Sequence, residues 1–219
     1  MFGERIPASA HTRVKICGIT NLEDGLAALE FGADALGFNF YPGSKRFIKI
    51  ADASKWIGEL PSSTSNVAVM VDPPLEAALE AAELPFISAL QLHGEETVEF
   101  CRSLAERGVH FAKAIPVRDE SSLLGAESFS TRTILLDSWS EGMFGGSGQT
   151  FAWDLAAEFV ASHPELRVVL AGGLTPENVG LAVATVRPFG VDVTSGVESS
   201  PGKKDHGRMR AFIDAARTP

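Results

Sequence analysis

Short apolar runs alternate with longer stretches of helical spacing along most of the chain. The first run, VKICGIT at 14–20, has strand character from Val14, Ile16 and Ile19, and Gly18 lets the chain turn after it. Thr20 followed by Glu23 makes a capping-box pattern, and Leu22, Leu26 and Leu29 then recur at helical spacing up to Gly32. Further strands are predicted over residues 35–40, 66–71, 89–92, 111–117, 133–137, 167–171 and 191–194. Between them the spacing predicts helices over 50–60, from a cap at Asp72 to near Pro85, over 95–107 and 153–163, from a cap at Thr175, and through Ala216 at the end. The segment 119–129 is only weakly helical, and the glycine-rich SWSEGMFGGSGQT after Asp137 suits a mobile lid.

Eight strands alternating with about eight helices have the rhythm of a single (β/α)8 TIM barrel with parallel strands, placed at 14–219 behind an N-terminal extension at 1–13. A doubly wound open sheet is the alternative. Against it, no GxGxxG follows an early strand and no linker divides the chain.

Composition narrows the function. The 219 residues are 45% hydrophobic and 21% charged with a formal net charge of −9, which argues against a nucleic-acid partner. Basic residues cluster at Lys45, Arg46 and Lys49 and at Lys203, Lys204, Arg208 and Arg210; most read as solvated surface, though such patches can steer a small anionic substrate. Two cysteines imply no disulfide framework, and Cys101 falls on an apolar helical face with Val98 and Leu104, a structural place. The first thirteen residues lack a signal-peptide core and no apolar run is long enough to span a membrane, so a cytoplasmic location without a membrane partner is expected.

In a barrel of this kind the site lies at the C-terminal ends of the strands. Reading them off gives Cys17, Asn39, Asp72, His93, Asp137, Gly172 with Gly173, and Ser195 with Gly196. Lys15 and Cys17 share a strand face, and both point inward. Taken alone, Cys17 reads more simply as a small buried hydrophobe. The loops after strands seven and eight commonly hold a phosphate in this fold, which AGGL at 171–174 and TSGVE at 194–198 suit because glycine lets the backbone approach an anion. Asp72 reads as a helix cap, whereas Asp137 is an acid across the barrel from Cys17. An acid opposite a base is what an aldose–ketose isomerisation needs, without metal or organic cofactor. His93 has no second ligand at metal-site spacing, so with Gln91 it is expected to line the pocket and to touch substrate or order a neighbour.

KICGIT at 15–20, GFNFYPGSKRFI, LQLHG at 90–94, LLDSW at 135–139, GGSG at 145–148, LAGGLTPENV at 170–179 and DVTSGVESSPGKKD at 192–205 together resemble phosphoribosylanthranilate isomerase, in order from about residue 14 to the C-terminus. The resemblance implies an Amadori rearrangement of N-(5-phosphoribosyl)anthranilate in tryptophan biosynthesis, by a monomer or homodimer acting on a small phosphorylated substrate. It implies Cys17 as general base, Asp137 as general acid, Arg46 as partner of the anthranilate carboxylate, and the backbones at 172–173 and 195–196 as phosphate cradle.

That chemistry asks Cys17 to be partly thiolate, although a free thiol has a pKa of about 8.5, and Lys15 is the nearby positive charge. It asks Asp137 to keep a proton, which desolvation under the glycine-rich loop would favour. Because strand eight adjoins strand one in a closed barrel, Asp192 is expected to meet Lys15 inside. The chain departs from the family at GSKR, where Ser-Pro-Arg is frequent and Lys45 could share the role of Arg46; at Ala152, in place of a frequent Asp; and at Asn39, in place of an aliphatic residue. The competing readings are another phosphosugar isomerase or epimerase on this fold and a non-catalytic phosphate-binding barrel. An epimerase would show metal ligands at several strand ends, and a histidine-pathway relative a carboxylate in place of Cys17.

Overall fold

The computed structural model describes residues 11–138 and 148–218. Its strands are β1 (Arg13–Cys17), β2 (Ala35–Asn39), β3 (Ser65–Met70), β4 (Ala89–Leu92), β5 (Phe111–Val117), β6 (Thr133–Ser138), β7 (Arg167–Ala171) and β8 (Gly190–Val193). They pair in sequence order, all parallel, and β8 pairs with β1 to close the barrel. Around them run α1 (Leu22–Glu30), α2 (Ile50–Ala53), α3 (Leu75–Ala82), α4 (Val98–Ala105), α5 (Gly148–Ser162), α6 (Val179–Val186) and α7 (His206–Arg217). A small hairpin, β9 (Glu198–Ser200) with β10 (Lys203–Lys204), stands between β8 and α7.

Strand alternation sorts the side chains into two cores. Val14, Ile16, Leu36, Phe38, Leu90 and Leu92 face out under the helices, whereas Ala35, Val67, Ala89, Ala112, Leu135 and Val169 fill the interior. Small residues dominate that interior, which leaves room for the whole Lys15 side chain, fully buried there. Cys101 is also buried, and burial pushes its thiol up to about 11, as befits a packing residue.

Several local expectations change. Asn21, not Thr20, caps α1, its Oδ1 accepting from the Asp24 amide at 2.8 Å; Thr20 instead donates its hydroxyl to the Gly202 carbonyl, 2.5 Å away across the molecule. Asp72 does not cap α3. With φ at 44° and prolines following, its carboxylate turns toward the next loop and accepts from the Glu95 amide at 2.6 Å. The predicted helix at 50–60 breaks into α2 and a 3-10 turn at Ile57–Glu59, and 119–129 forms two 3-10 turns, the first closed by a capping box between Asp119 and Ser122. Thr175 leaves the start of α6 to Asn178. Of the glycine-rich segment 138–150 expected as a lid, Ser138 ends β6 and 148–150 open α5, while 139–147 lie outside the described residues.

Candidate active site

A cavity of about 390 Å³ opens at the C-terminal ends of the strands, within the usual size for a small-molecule site. Cys17, Arg46, Gln91, His93 and Asp137 line it, as do Gly172, Gly173, Ser195 and Gly196. These nine residues therefore face one space, whereas Asp72, also read as a strand end, is not among those that line it.

Cys17 ends β1 and is nearly buried. Lys15, below it on the same face, donates to Asp192 at 2.9 Å, and the two residues are direct partners in the β1–β8 register. Burial works against the Lys15 charge, but Asp192 and then Cys17 outweigh it and hold the ammonium above its ordinary range. Gly37 sits opposite Cys17 on β2, where a Cβ would lie 2.8 Å from Cys17 Sγ and 2.9 Å from Lys15 Nζ. The pair fits because that position has no side chain.

Two further cations approach from the far end of the chain and from the β2 loop. Lys204, expected as solvated surface, is buried and donates to the Cys17 carbonyl at 2.6 Å, the Thr194 carbonyl at 3.2 Å and Glu198 at 3.2 Å. Burial pushes its ammonium down, with Glu198 and Cys17 opposing. Arg46 is held by Glu198, with Nε 3.2 Å from each carboxylate oxygen and Nη2 2.5 Å from Oε2. That hydrogen bonding raises Arg46 above its ordinary value. Lys15 on the same strand face, Lys204 at the Cys17 carbonyl and Arg46 at the cavity wall thus stand about Cys17.

Opposite, β4 and β6 present a chain of polar groups. Gln91 Nε2 lies 2.9 Å from His93 Nδ1, and His93 Nε2 lies 3.1 Å from Asp137 Oδ2. His93 and Asp137 are both about one-third exposed, open to the cavity, while Gln91 is buried beneath. The turn just past His93 is fixed from below: buried Lys113 on β5 donates to the Gly94 carbonyl at 2.7 Å and to Glu96 at 2.9 Å, and Glu96 accepts from the Asp72 and Gly94 amides.

The loops after β7 and β8 supply the third wall. Gly172 and Gly173 have φ of 83° and 61°, a backbone path that favours glycine. Asn178 braces this turn, accepting from the Thr175 amide at 2.8 Å and donating to the Gly173 carbonyl at 3.0 Å. Gly196 packs so tightly on the β7 loop that a Cβ would sit 2.0 Å from the Leu174 carbonyl oxygen. Among the departures noted, Asn39 lines the cavity and its Oδ1 accepts from the Tyr41 amide at 3.0 Å.

Sequence reasoning missed Glu198, Lys204 and Asn178. Each lay inside a quoted motif, but a carboxylate or an ammonium at a loop reads as surface until its partners are known. Among the described residues no group of His, Cys, Asp or Glu is arranged to hold a metal ion, and no helix is long and apolar enough to cross a membrane.

Comparison with known proteins places this arrangement. Residues 14–215 match the family model described as N-(5'-phosphoribosyl)anthranilate (PRA) isomerase. The chain belongs to that family. A relative from Pelobacter propionicus named N-(5'-phosphoribosyl)anthranilate isomerase is 46% identical over 94% of this chain and 95% of its own. The crystal structure of phosphoribosyl anthranilate isomerase from Thermotoga maritima superposes with a TM-score of 0.84 at 48% identity, covering 94% of this chain and 98% of that one. A family structure in complex with reduced 1-(o-carboxyphenylamino)-1-deoxyribulose 5-phosphate gives a TM-score of 0.80 at 45% identity over 94% and 98% of the two chains. The family match begins and ends within the barrel described above.

Proposed function

We propose that this chain catalyses the Amadori rearrangement of N-(5-phosphoribosyl)anthranilate to 1-(2-carboxyphenylamino)-1-deoxyribulose 5-phosphate. The observation that carries the reading is a thiol on β1 and a carboxyl on β6 facing one cavity whose third wall is two glycine-bearing loops. Membership of the isomerase family supports it.

Asp137 gives its proton to the furanose ring oxygen. The C1'–O bond breaks and the anilino nitrogen lone pair forms a C=N bond, leaving an open-chain iminium. That cation acidifies the neighbouring C2'–H, and the Cys17 thiolate removes it to give an enolamine, which tautomerises to the ketone. Lys15, Lys204 and Arg46, placed about Cys17, bring positive charge near the thiol, which favours a thiolate. His93 steadies Asp137 through Nε2, and Gln91 fixes the ring from beneath. The substrate phosphate rests on the backbones of Gly172, Gly173, Ser195 and Gly196, and Arg46 receives the anthranilate carboxylate.

The test follows loss of anthranilate fluorescence on freshly generated phosphoribosylanthranilate. The natural chain should consume it rapidly, and Cys17→Ser and Asp137→Asn should each lose at least about a hundredfold in kcat with folding intact. A folded natural chain without turnover overturns the isomerase reading in favour of a binding barrel. A variant retaining full kcat removes that residue from the mechanism.

A further inference from the structure

Arg46 does not reach the cavity as a free cation. Its stem crosses Gly18, where a Cβ would lie 3.0 Å from Arg46 Cγ, so the guanidinium is brought beside the end of β1. There Glu198 grips the Nε and Nη2 edge. Nη1 has no hydrogen bond among the described residues, on a side chain that lines the cavity. Glu198 is itself nearly buried and anchored by Lys204, which also donates to the carbonyls of Cys17 and Thr194, and by the Gly202 amide. The fork is thus tied through Glu198 to the ends of β1 and β8.

We propose that Glu198 is a positioning residue that holds Arg46 side-on, so that the Nη1 end of the guanidinium is presented to the carboxylate of the substrate's aromatic ring. The inference rests on the assignment of that carboxylate to Arg46. A mobile arginine would lose rotamer freedom on binding, whereas one already held keeps its planar fork aligned for a bidentate pair. Charge balance permits a second carboxylate. Arg46 and Lys204 bring two positive charges against the single negative charge of Glu198, so an arriving anion meets net attraction.

The experiment compares two competitive inhibitors: the reduced carboxyphenylamino-deoxyribulose phosphate and its phenylamino counterpart without the carboxylate. The ratio of their affinities measures recognition of that one group. Glu198→Gln should lower the ratio by about tenfold, the scale of one charge-assisted hydrogen bond, while affinity for the carboxylate-free compound stays put. The natural substrate should show the loss mainly in KM. A merely structural role would weaken both inhibitors alike and leave the ratio unchanged, which overturns the proposal.

Arg46→Gln is the companion variant. If it abolishes the preference while Glu198→Gln keeps it, Arg46 recognises the carboxylate without help and the role of Glu198 falls. If Arg46→Gln also keeps the preference, the assignment of Arg46 is itself wrong and the proposal falls with it. Should Glu198→Gln fail to fold, Glu198→Asp retains the charge on a shorter arm; an intermediate loss of the ratio supports positioning, and a full ratio overturns it.

Discussion

Lys15 and Asp192 meet inside the barrel with Nζ 2.9 Å from Oδ1, at a position where β1 and β8 register them directly opposite one another. The pair lies on the seam that closes the barrel and directly below Cys17. Removing one partner strands the other in a buried site. Asp192→Asn should therefore cost about 3–5 kcal/mol in a urea unfolding curve, with kcat lowered as well. An unchanged midpoint would show that the interior tolerates the bare ammonium. The pair also sets an alkaline limit. Lys15 is raised above 10.5 in the folded state, so its contribution is complete below that pH and is lost as pH rises through the higher folded value. Stability of the natural chain should fall above about pH 10.5, and Lys15→Met should flatten that fall.

Gly37 is the space that Lys15 and Cys17 occupy. Gly37→Ala would put a carbon 2.8 Å from the thiol sulfur, so the sulfur has to move. A displacement of this kind costs about a hundredfold in rate when the group is a reacting one. The check is kcat together with the rate of Cys17 alkylation, which should change in the same variant. Normal kcat in a folded Gly37→Ala chain would place the reacting atom elsewhere.

Gly196 tests the phosphate wall. Because the clash in Gly196→Ala is with the Leu174 carbonyl, which is backbone, the two loops have to separate. Loss of one or two hydrogen bonds to an anion should raise the inhibition constant of inorganic phosphate by about 10- to 100-fold. Unaltered phosphate inhibition would mean that the β7 and β8 loops do not cradle it.

Acid should loosen the attachment of the C-terminal hairpin and α7. Asp24 on α1 accepts from the Lys204 amide at 3.0 Å and lies 2.8 Å from His206 Nε2. Burial alone would raise it, but those contacts and Asn21 hold it below 3.8; Arg46 and Lys204 likewise overcome burial to hold Glu198 below 4.5. Both carboxylates are depressed, so their stabilisation is complete above about pH 4.5 and is lost as pH falls through the folded values. Unfolding midpoints between about pH 5 and 2 should drop steeply in the natural chain and less steeply in Asp24→Asn. Equal slopes would assign the acid sensitivity to other groups.

The alternation of apolar runs and helical spacing was enough to read eight parallel strands, because strand and helix periods are local properties that each segment carries by itself. The ends of those strands then named Cys17, His93, Asp137, Gly172 with Gly173 and Ser195 with Gly196, since the fold puts all strand ends on one face. Even Lys15 with Asp192 was legible, from closure alone. Caps were less so: Thr20 and Asp72 carry helix-capping side chains, yet each is drawn to a partner in another loop, the hydroxyl of Thr20 to Gly202 and the carboxylate of Asp72 to the Glu95 amide. Glu198, Lys204 and the tie from Glu198 to Arg46 belong wholly to the tertiary structure. Arg46 and Glu198 are 152 positions apart, and nothing local to either residue distinguishes a half-buried ion pair from two solvated charges. Local periodicity determined the barrel and its rim. Only the folding of distant charges into one water-poor corner decided which of them would hold, orient and neutralise the others.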